Sequence, residues 1–434
     1  MSAGQAAGHR VVRVAILASE PMGWGSGRHF FLALLDGFMW EAGGHSYRIQ
    51  AEYVDDAAVL RGRLTTLDFD VLVVPGGGVG DGHAVMKGFR LLPSVRLWKK
   101  RIASYVKQGG GYVGICGGTA LMTRLCTERG KPRTFMERQY DKSALGVSCV
   151  SSYYRTLAFP LVYPFQSRHP EDVGAASYVF SFAPGVTVDG KLVHTGGAPV
   201  EFRVDTSHPV FRGAQAREVI RWWGGPGLLV PKDPGRKVSV LAWYPEVDIS
   251  SNPLTRIASW RYAGGLRGLV RSVLGAFRQV KVERGPLRKV VLYAFYLAGP
   301  WERTERPVRL DQAGLPAVTA EVFPNEHAGR ILLCTAHPEY MPWREGRIVE
   351  REPSPDVCIG TGFRRWEGIE TFSELEAEVA ATWWMVRRFV AWAGKVPDDA
   401  LPPKEAVTLP AKVCRELFPY IVWDGSRENQ FMTI

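Results

Sequence analysis

The chain has 434 residues, room for two to three domains at about 150 residues each, and its 46% hydrophobic and 22% charged residues match an ordinary globular protein. Three classes are excluded: a disordered chain, because this apolar content offsets the entropy of ordering; a collagen-like or linker protein, because the glycines and prolines follow no period; and a disulfide or zinc scaffold, because the six cysteines show no CxxC spacing. The net charge of +11 is concentrated, since residues 249–310 hold 12 Lys and Arg against 3 Glu and the rest of the chain is close to neutral.

Met1–Arg10 is short and polar, and the apolar stretch after it is too brief and strand-like for a secretory signal. No apolar run approaches the ~18–20 residues of a spanning helix, so the expected location is the cytoplasm. Val11–Ala18 reads as a buried strand closed by the turn Ser19-Glu20-Pro21. A loop with Gly23, Gly25 and Gly27 follows, then a helical stretch from His29 to Glu41. Tyr47–Val54 is a second strand, Asp56–Leu67 a short helix, and Asp70–Val74 a third strand ending at Pro75-Gly76-Gly77-Gly78. An amphipathic helix over Ser94–Gln108 leads to a fourth strand, Tyr112–Ile115. Strands alternating with helices imply an α/β fold, a mainly parallel sheet with helices on both faces.

Residues 11–248 form the first part of this domain, with short strands at Tyr178–Phe182, Val200–Val204 and Val238–Ala242. Residues 249–315 are a basic insertion. Within it Leu266, Leu269, Val270, Val273, Leu274 and Phe277 recur at helical spacing, with Arg267, Arg271 and Arg278 between them. The expected helix packs its apolar stripe on the neighbouring domain; an acidic protein partner or a membrane surface is the alternative, and no motif favours nucleic acid. Residues 316–394 resume the domain with strands at Ala317–Phe323 and Arg330–Ala336 and a closing helix at Ser373–Trp392. Residues 395–434, rich in proline, read as an extended arm.

The chemistry centres on Gly114-Ile115-Cys116-Gly117-Gly118-Thr119. A strand delivers Cys116 to a sharp turn cleared by glycines, and a helix begins just after it, which is the arrangement of a nucleophile elbow. A helix N-terminus beneath the sulfur favours thiolate. The N–H of Gly117 would face an oxyanion, and Gly77 or Gly78, at the end of the neighbouring strand, would supply a second donor. His337-Pro338-Glu339 follows the strand Arg330–Ala336 and offers a base and a carboxylate to orient it. His169-Pro170-Glu171 repeats the tripeptide without a strand to hold it, so His337 is the preferred base. His208, followed by proline but no carboxylate, reads as structural.

PGGG at 75–78, GGGYVGICGGTA at 109–120 and ILLCTAHPEY at 331–340 together resemble the class I glutamine amidotransferase-like superfamily, nearest to the N-terminal domain-like branch of biotin–protein ligases. The resemblance implies a flavodoxin-like fold and a Cys116–His337–Glu339 triad acting on a small-molecule amide or related carbonyl through a thioester. It implies no cofactor and no metal. Glutaminases of the superfamily carry glutamine four residues after the nucleophile, where this chain has Ala120; a non-catalytic binding or regulatory domain is therefore the alternative. A related peptidase branch places a first-strand glutamate beside the cysteine, which makes Glu20 a candidate accessory residue. Trp24, Arg28, His83, Trp222 and Trp223 are candidate pocket walls, and an oligomer is left open.

Overall fold

Four consecutive apolar residues, Val71 to Val74, are buried on both sides, as are all five from Gly111 to Ile115. Strands with no solvent face need helices above and below them. The structure, a computed structural model, describes residues 9–18, 25–76, 93–127, 144–154, 198–222, 225–249, 311–324, 329–339 and 380–404. It also describes shorter pieces at 130–131, 138, 141–142, 186–188, 191–193, 259–262, 265–282, 301–304, 327, 347–351 and 363–367.

Among the described residues, ten strands form one mixed sheet: β1 (His9–Leu17), β2 (Met39–Ala42), β3 (His45–Val54), β4 (Val71–Val74), β5 (Gly111–Ile115), β6 (Ala198–Val204), β7 (Arg217–Trp222), β8 (Lys237–Trp243), β9 (Pro316–Val322) and β10 (Arg330–Cys334). Their order is β7-β6-β8-β9-β10-β5-β4-β1-β3-β2. The run β10-β5-β4-β1-β3 is parallel. Antiparallel pairs extend it at both ends.

The helices are α1 (Gly25–Leu35), α2 (Asp56–Arg61), α3 (Pro93–Lys107), α4 (Gly117–Met122), α5 (Gly265–Val282) and α6 (Trp383–Ala393). Alternation along the strands divides the core in two. Val14, Ile16, Val73, Val113 and Ile115 pack with Phe31 and Leu34 of α1 and Phe389 of α6. Ala15, Leu17, Leu72, Val74 and Tyr112 face the other way, against Val59 of α2 and Trp98 and Ile102 of α3.

Two helices are shorter than their periodicity implies. The stretch His29–Glu41 stops being helical at Leu35, and Met39–Ala42 turns back as β2 against β3. Gly43 and Gly44, at φ 57° and 75°, make the two-residue turn whose twist suits a hairpin. Trp40, opposite Tyr47 in the register, stacks on it at 5.0 Å, so the apolar residues serve a cross-strand pair. The helix over Asp56–Leu67 ends at Arg61, where Gly62 adopts a left-handed cap and its N–H meets the carbonyls of Ala58 and Val59.

The segment expected to be an insertion lies between two strands that pair, β8 and β9. Its ends are held together: the N–H of Tyr244 donates to Leu315 O and that of Gly314 to Pro245 O, both at 2.9 Å. Inside it, strands Ser259–Tyr262 and Trp301–Thr304 pair antiparallel, with α5 between them in sequence. Four of the six apolar stripe residues of α5 are exposed, Val273 is half-buried, and the Leu269 side chain lies outside the described residues. Leu266 is 79% exposed, Val270 53%, Leu274 54% and Phe277 47%. Gly268, on the opposite side of the helix, is buried; a residue without a side chain lets the backbone itself approach its neighbours.

At the C-terminal end, α6 is buried along its whole length, Arg387 and Arg388 included. Arg387 donates Nε to Leu34 O, and Arg388 donates to the carbonyls of Val210, Arg212 and Pro402. Residues 395–404 lie over the domain, with Trp40 Nε1 donating to Ala400 O and Lys404 Nζ paired with Glu218 at 2.5 Å. The expected strand Tyr178–Phe182, the first residues of the helix Ser373–Trp392 and the arm beyond residue 404 lie outside the described residues. Among the described residues, no helix is long and apolar enough to cross a membrane.

Candidate functional site

Strand β5 ends at Ile115, and its neighbour in the sheet, β10, ends at Cys334. The N–H of Cys116 donates to Cys334 O at 2.7 Å, carrying the pairing one residue further. There the chain turns sharply: Cys116 sits at φ 46°, ψ −104°, a conformation that costs a non-glycine residue roughly 1–3 kcal/mol. Surrounding contacts hold it. The Cys116 carbonyl accepts from the N–H groups of Thr119 and Ala120, opening the six-residue α4. Buried Thr119 donates Oγ1 toward Gly114 O and Cys334 O, both at 2.9 Å, tying α4 to both strands. Gly118 lies directly against Val74 O, where no side chain fits.

The turn after β10 brings His337 and Glu339 to the same place. The N–H of His337 donates to Arg221 O at 2.7 Å, an antiparallel bridge onto the end of β7. His337 Nδ1 and Glu339 Oε1 are 2.8 Å apart, with both side chains buried. The Cys116 side chain lies beside the imidazole and raises it electrostatically. Gly76, at the end of β4, closes this space: a Cβ there would stand 2.5 Å from His337 Cε1 and 2.7 Å from Cys116 Cβ.

Electrostatics follow from burial. Desolvation by itself pulls the His337 imidazolium down. The Glu339 carboxylate and the Cys116 sulfur outweigh it and raise His337 from 6.5 to about 10. Glu339 Oε2 has no hydrogen-bond partner among the described residues, which leaves Oε1 as the oxygen that meets the ring. Three other thiols are raised. Burial pushes Cys334 well up, burial and then Glu321 push Cys149 up to about 12, and burial raises Cys126.

Two further layers hold the tripeptide. Thr382 donates Oγ1 to Pro338 O at 2.6 Å, and Trp383 donates Nε1 to Glu339 O at 3.0 Å. Beneath it, Trp222 Nε1 donates to Tyr244 OH at 3.0 Å, and that hydroxyl is 2.8 Å from Thr335 Oγ1. Sequence reasoning missed these positioning groups. Thr382 and Trp383 belong to a stretch whose helical periodicity shows only a core face, and no local signal separates them from packing residues.

Of the candidate residues, Cys116, His337 and Glu339 come together, with Gly117 next in chain at the first position of α4. Trp222 is corrected: it is 1% exposed and its indole is committed to Gly225 O and Tyr244 OH, so it is core, not pocket wall. His208 caps a short 3-10 turn, accepting from Val210 N, and lies against Trp392. Ala120 is buried. Gly77, Gly78, Glu20, His169, Trp24, His83, Trp223 and the Arg28 side chain lie outside the described residues. Among the described residues, no group of three or more His, Cys, Asp or Glu side chains is placed to hold a metal ion.

No family model matches the chain, and no curated protein matches it. Solved structures similar to it include a ThuA-like protein from Bacteroides uniformis, with TM-score 0.33 and 11% identity over 78% of this chain and 86% of that one. A GMP synthase-like protein from Thermoplasma acidophilum has TM-score 0.27 and 10% identity over 76% and 86%. A glutamine amidotransferase from Thermotoga maritima has TM-score 0.26 and 12% identity over 67% and 99%. Likenesses at this level assign neither family nor activity to this chain.

Proposed function

We propose that this chain is a cysteine-dependent hydrolase of the class I glutamine amidotransferase-like, flavodoxin-like type, acting on an amide or related carbonyl. The observation that carries the reading is one imidazole, His337, held by Glu339 at 2.8 Å and standing against the same Gly76 wall as the Cys116 side chain, whose sulfur raises it. In this reading Cys116 Sγ, as thiolate, attacks the carbonyl carbon, and the N–H of Gly117 with Gly77 or Gly78 holds the oxyanion. With Nδ1 held by Glu339, Nε2 of His337 passes its proton to the leaving nitrogen as the C–N bond breaks. Water, deprotonated by the same nitrogen, then cleaves the thioester and returns the thiol. Removing the imidazole would cost about 10²–10⁴ in rate.

A haloketone analogue of glutamine, read by mass spectrometry, tests this. Modification of Cys116 well above Cys126 and Cys334, lost in His337→Ala, supports the triad; uniform slow labelling of all three rejects it. The non-catalytic alternative draws on one observation, buried Ala120 where a glutaminase's glutamine would stand. Analogue binding without ammonia release from any amide tested would favour it.

A further inference from the structure

We propose that helix α5 docks this protein onto an anionic lipid surface, lying in the plane of the interface with Leu266, Val270, Leu274 and Phe277 inserted among the acyl chains. At 100° per residue these four side chains fall on one face, and each is between 47% and 79% exposed. Four bulky apolar groups in a row on the outside of one helix are more than the scattered exposure of an ordinary surface.

Charge identifies the occupant. The 18 residues Gly265–Val282 contain Arg267, Arg271, Arg278 and Lys281 and no carboxylate. All four cations are exposed, and the three arginines flank the apolar face along one edge. Such a helix offers hydrocarbon to the acyl region and guanidinium groups to phosphate or serine headgroups at the boundary. Leu266, Val270, Leu274 and Phe277 all project from one helix face, the arrangement that lets a helix lie in a bilayer interface with its apolar side chains among the acyl chains. The surrounding segment, 249–310, adds a net +9 to a chain otherwise near +2, which steers it toward an anionic surface.

The test is flotation of the full-length protein with phosphatidylcholine vesicles, with and without about 30% phosphatidylserine, at low and high salt. Expected is binding to the anionic vesicles at least tenfold tighter than to neutral ones, weakened by salt. Val270→Asp with Leu274→Asp should reduce it to background. Arg267→Gln with Arg271→Gln should weaken it at least tenfold. These are exposed positions, and an unchanged thermal transition would show that the variants fold. The comparison between lipid compositions stands on the wild-type chain alone. No binding to anionic vesicles at low salt overturns the proposal. So does binding that survives the aspartates and is abolished by polyglutamate, which would mark an acidic protein as the partner.

Discussion

A methyl group on Gly76 would lie 2.5 Å from Cε1 of His337, so the imidazole occupies the space that a side chain would take at the end of β4. The same methyl would meet Cβ of Cys116 at 2.7 Å. Gly76→Ala therefore pushes thiol and imidazole together or apart. Expected are a loss of about 1–3 kcal/mol in stability by urea titration and at least a tenfold slower alkylation of Cys116. A variant alkylated as fast as the wild type would show that this wall does not set the Cys116–His337 geometry.

Glu339→Gln keeps the shape of the side chain and removes its charge. His337 then loses the carboxylate that raises it, while burial still pulls it down. In the proposed mechanism the charged imidazole that partners the Cys116 sulfur then becomes rarer at neutral pH. Alkylation of Cys116 at pH 7 is expected to slow by about 10- to 100-fold, most of the loss that His337→Ala produces. Rate measurements on both variants across pH check this.

The pH dependence of stability has a defined sign. His337 stands at 6.5 unperturbed and at about 10 in the folded chain. A group raised by folding stabilises fully below its unfolded value and loses that contribution as pH rises through the folded one. The unfolding free energy of the wild type minus that of His337→Gln should therefore be flat below about pH 6.5 and fall toward pH 10. In a Cys116→Ser background the raising effect of the sulfur is gone, so the contribution below pH 6.5 should be smaller and the fall should be complete at lower pH. Urea titrations at stepped pH would read both, and a difference that grows with pH would contradict the assignment.

Thr382 holds Pro338 from the far side through a buried hydrogen bond of 2.6 Å. Thr382→Val leaves the Pro338 carbonyl buried without that donor, at about 1–3 kcal/mol. The turn carrying His337 and Glu339 should loosen, so Cys116 alkylation should slow severalfold and its pH profile should shift. Thr382→Ser, which restores the donor, should recover both. Loss of stability with an unchanged profile would mean that Thr382 supports the fold only.

Much of the sheet could be read along the chain, because the parallel centre is made of runs such as Val71–Val74 that are apolar at every position and flanked by turn residues. The elbow at Cys116 was legible for a similar reason: its glycines and its strand-to-helix switch are neighbours in sequence. The end of α1 was not. Phe38, Trp40 and the preceding apolar residues fit a helical stripe, and only pairing with β3 makes Met39–Ala42 a strand. Trp222 was misread because exposure is a property of the packed chain and not of the residue type.

By itself, then, the order of residues determined that a cysteine would stand on a tight turn in an α/β chain, and that one segment would be a basic amphipathic helix; both depend on residues within one or two turns of each other. Which histidine meets that cysteine was decided by the pairing of β10 with β5, which joins positions about 220 residues apart. The exposure of Leu266, Val270, Leu274 and Phe277 on α5 was likewise decided in three dimensions, because periodicity marks an apolar stripe without saying what, if anything, packs against it.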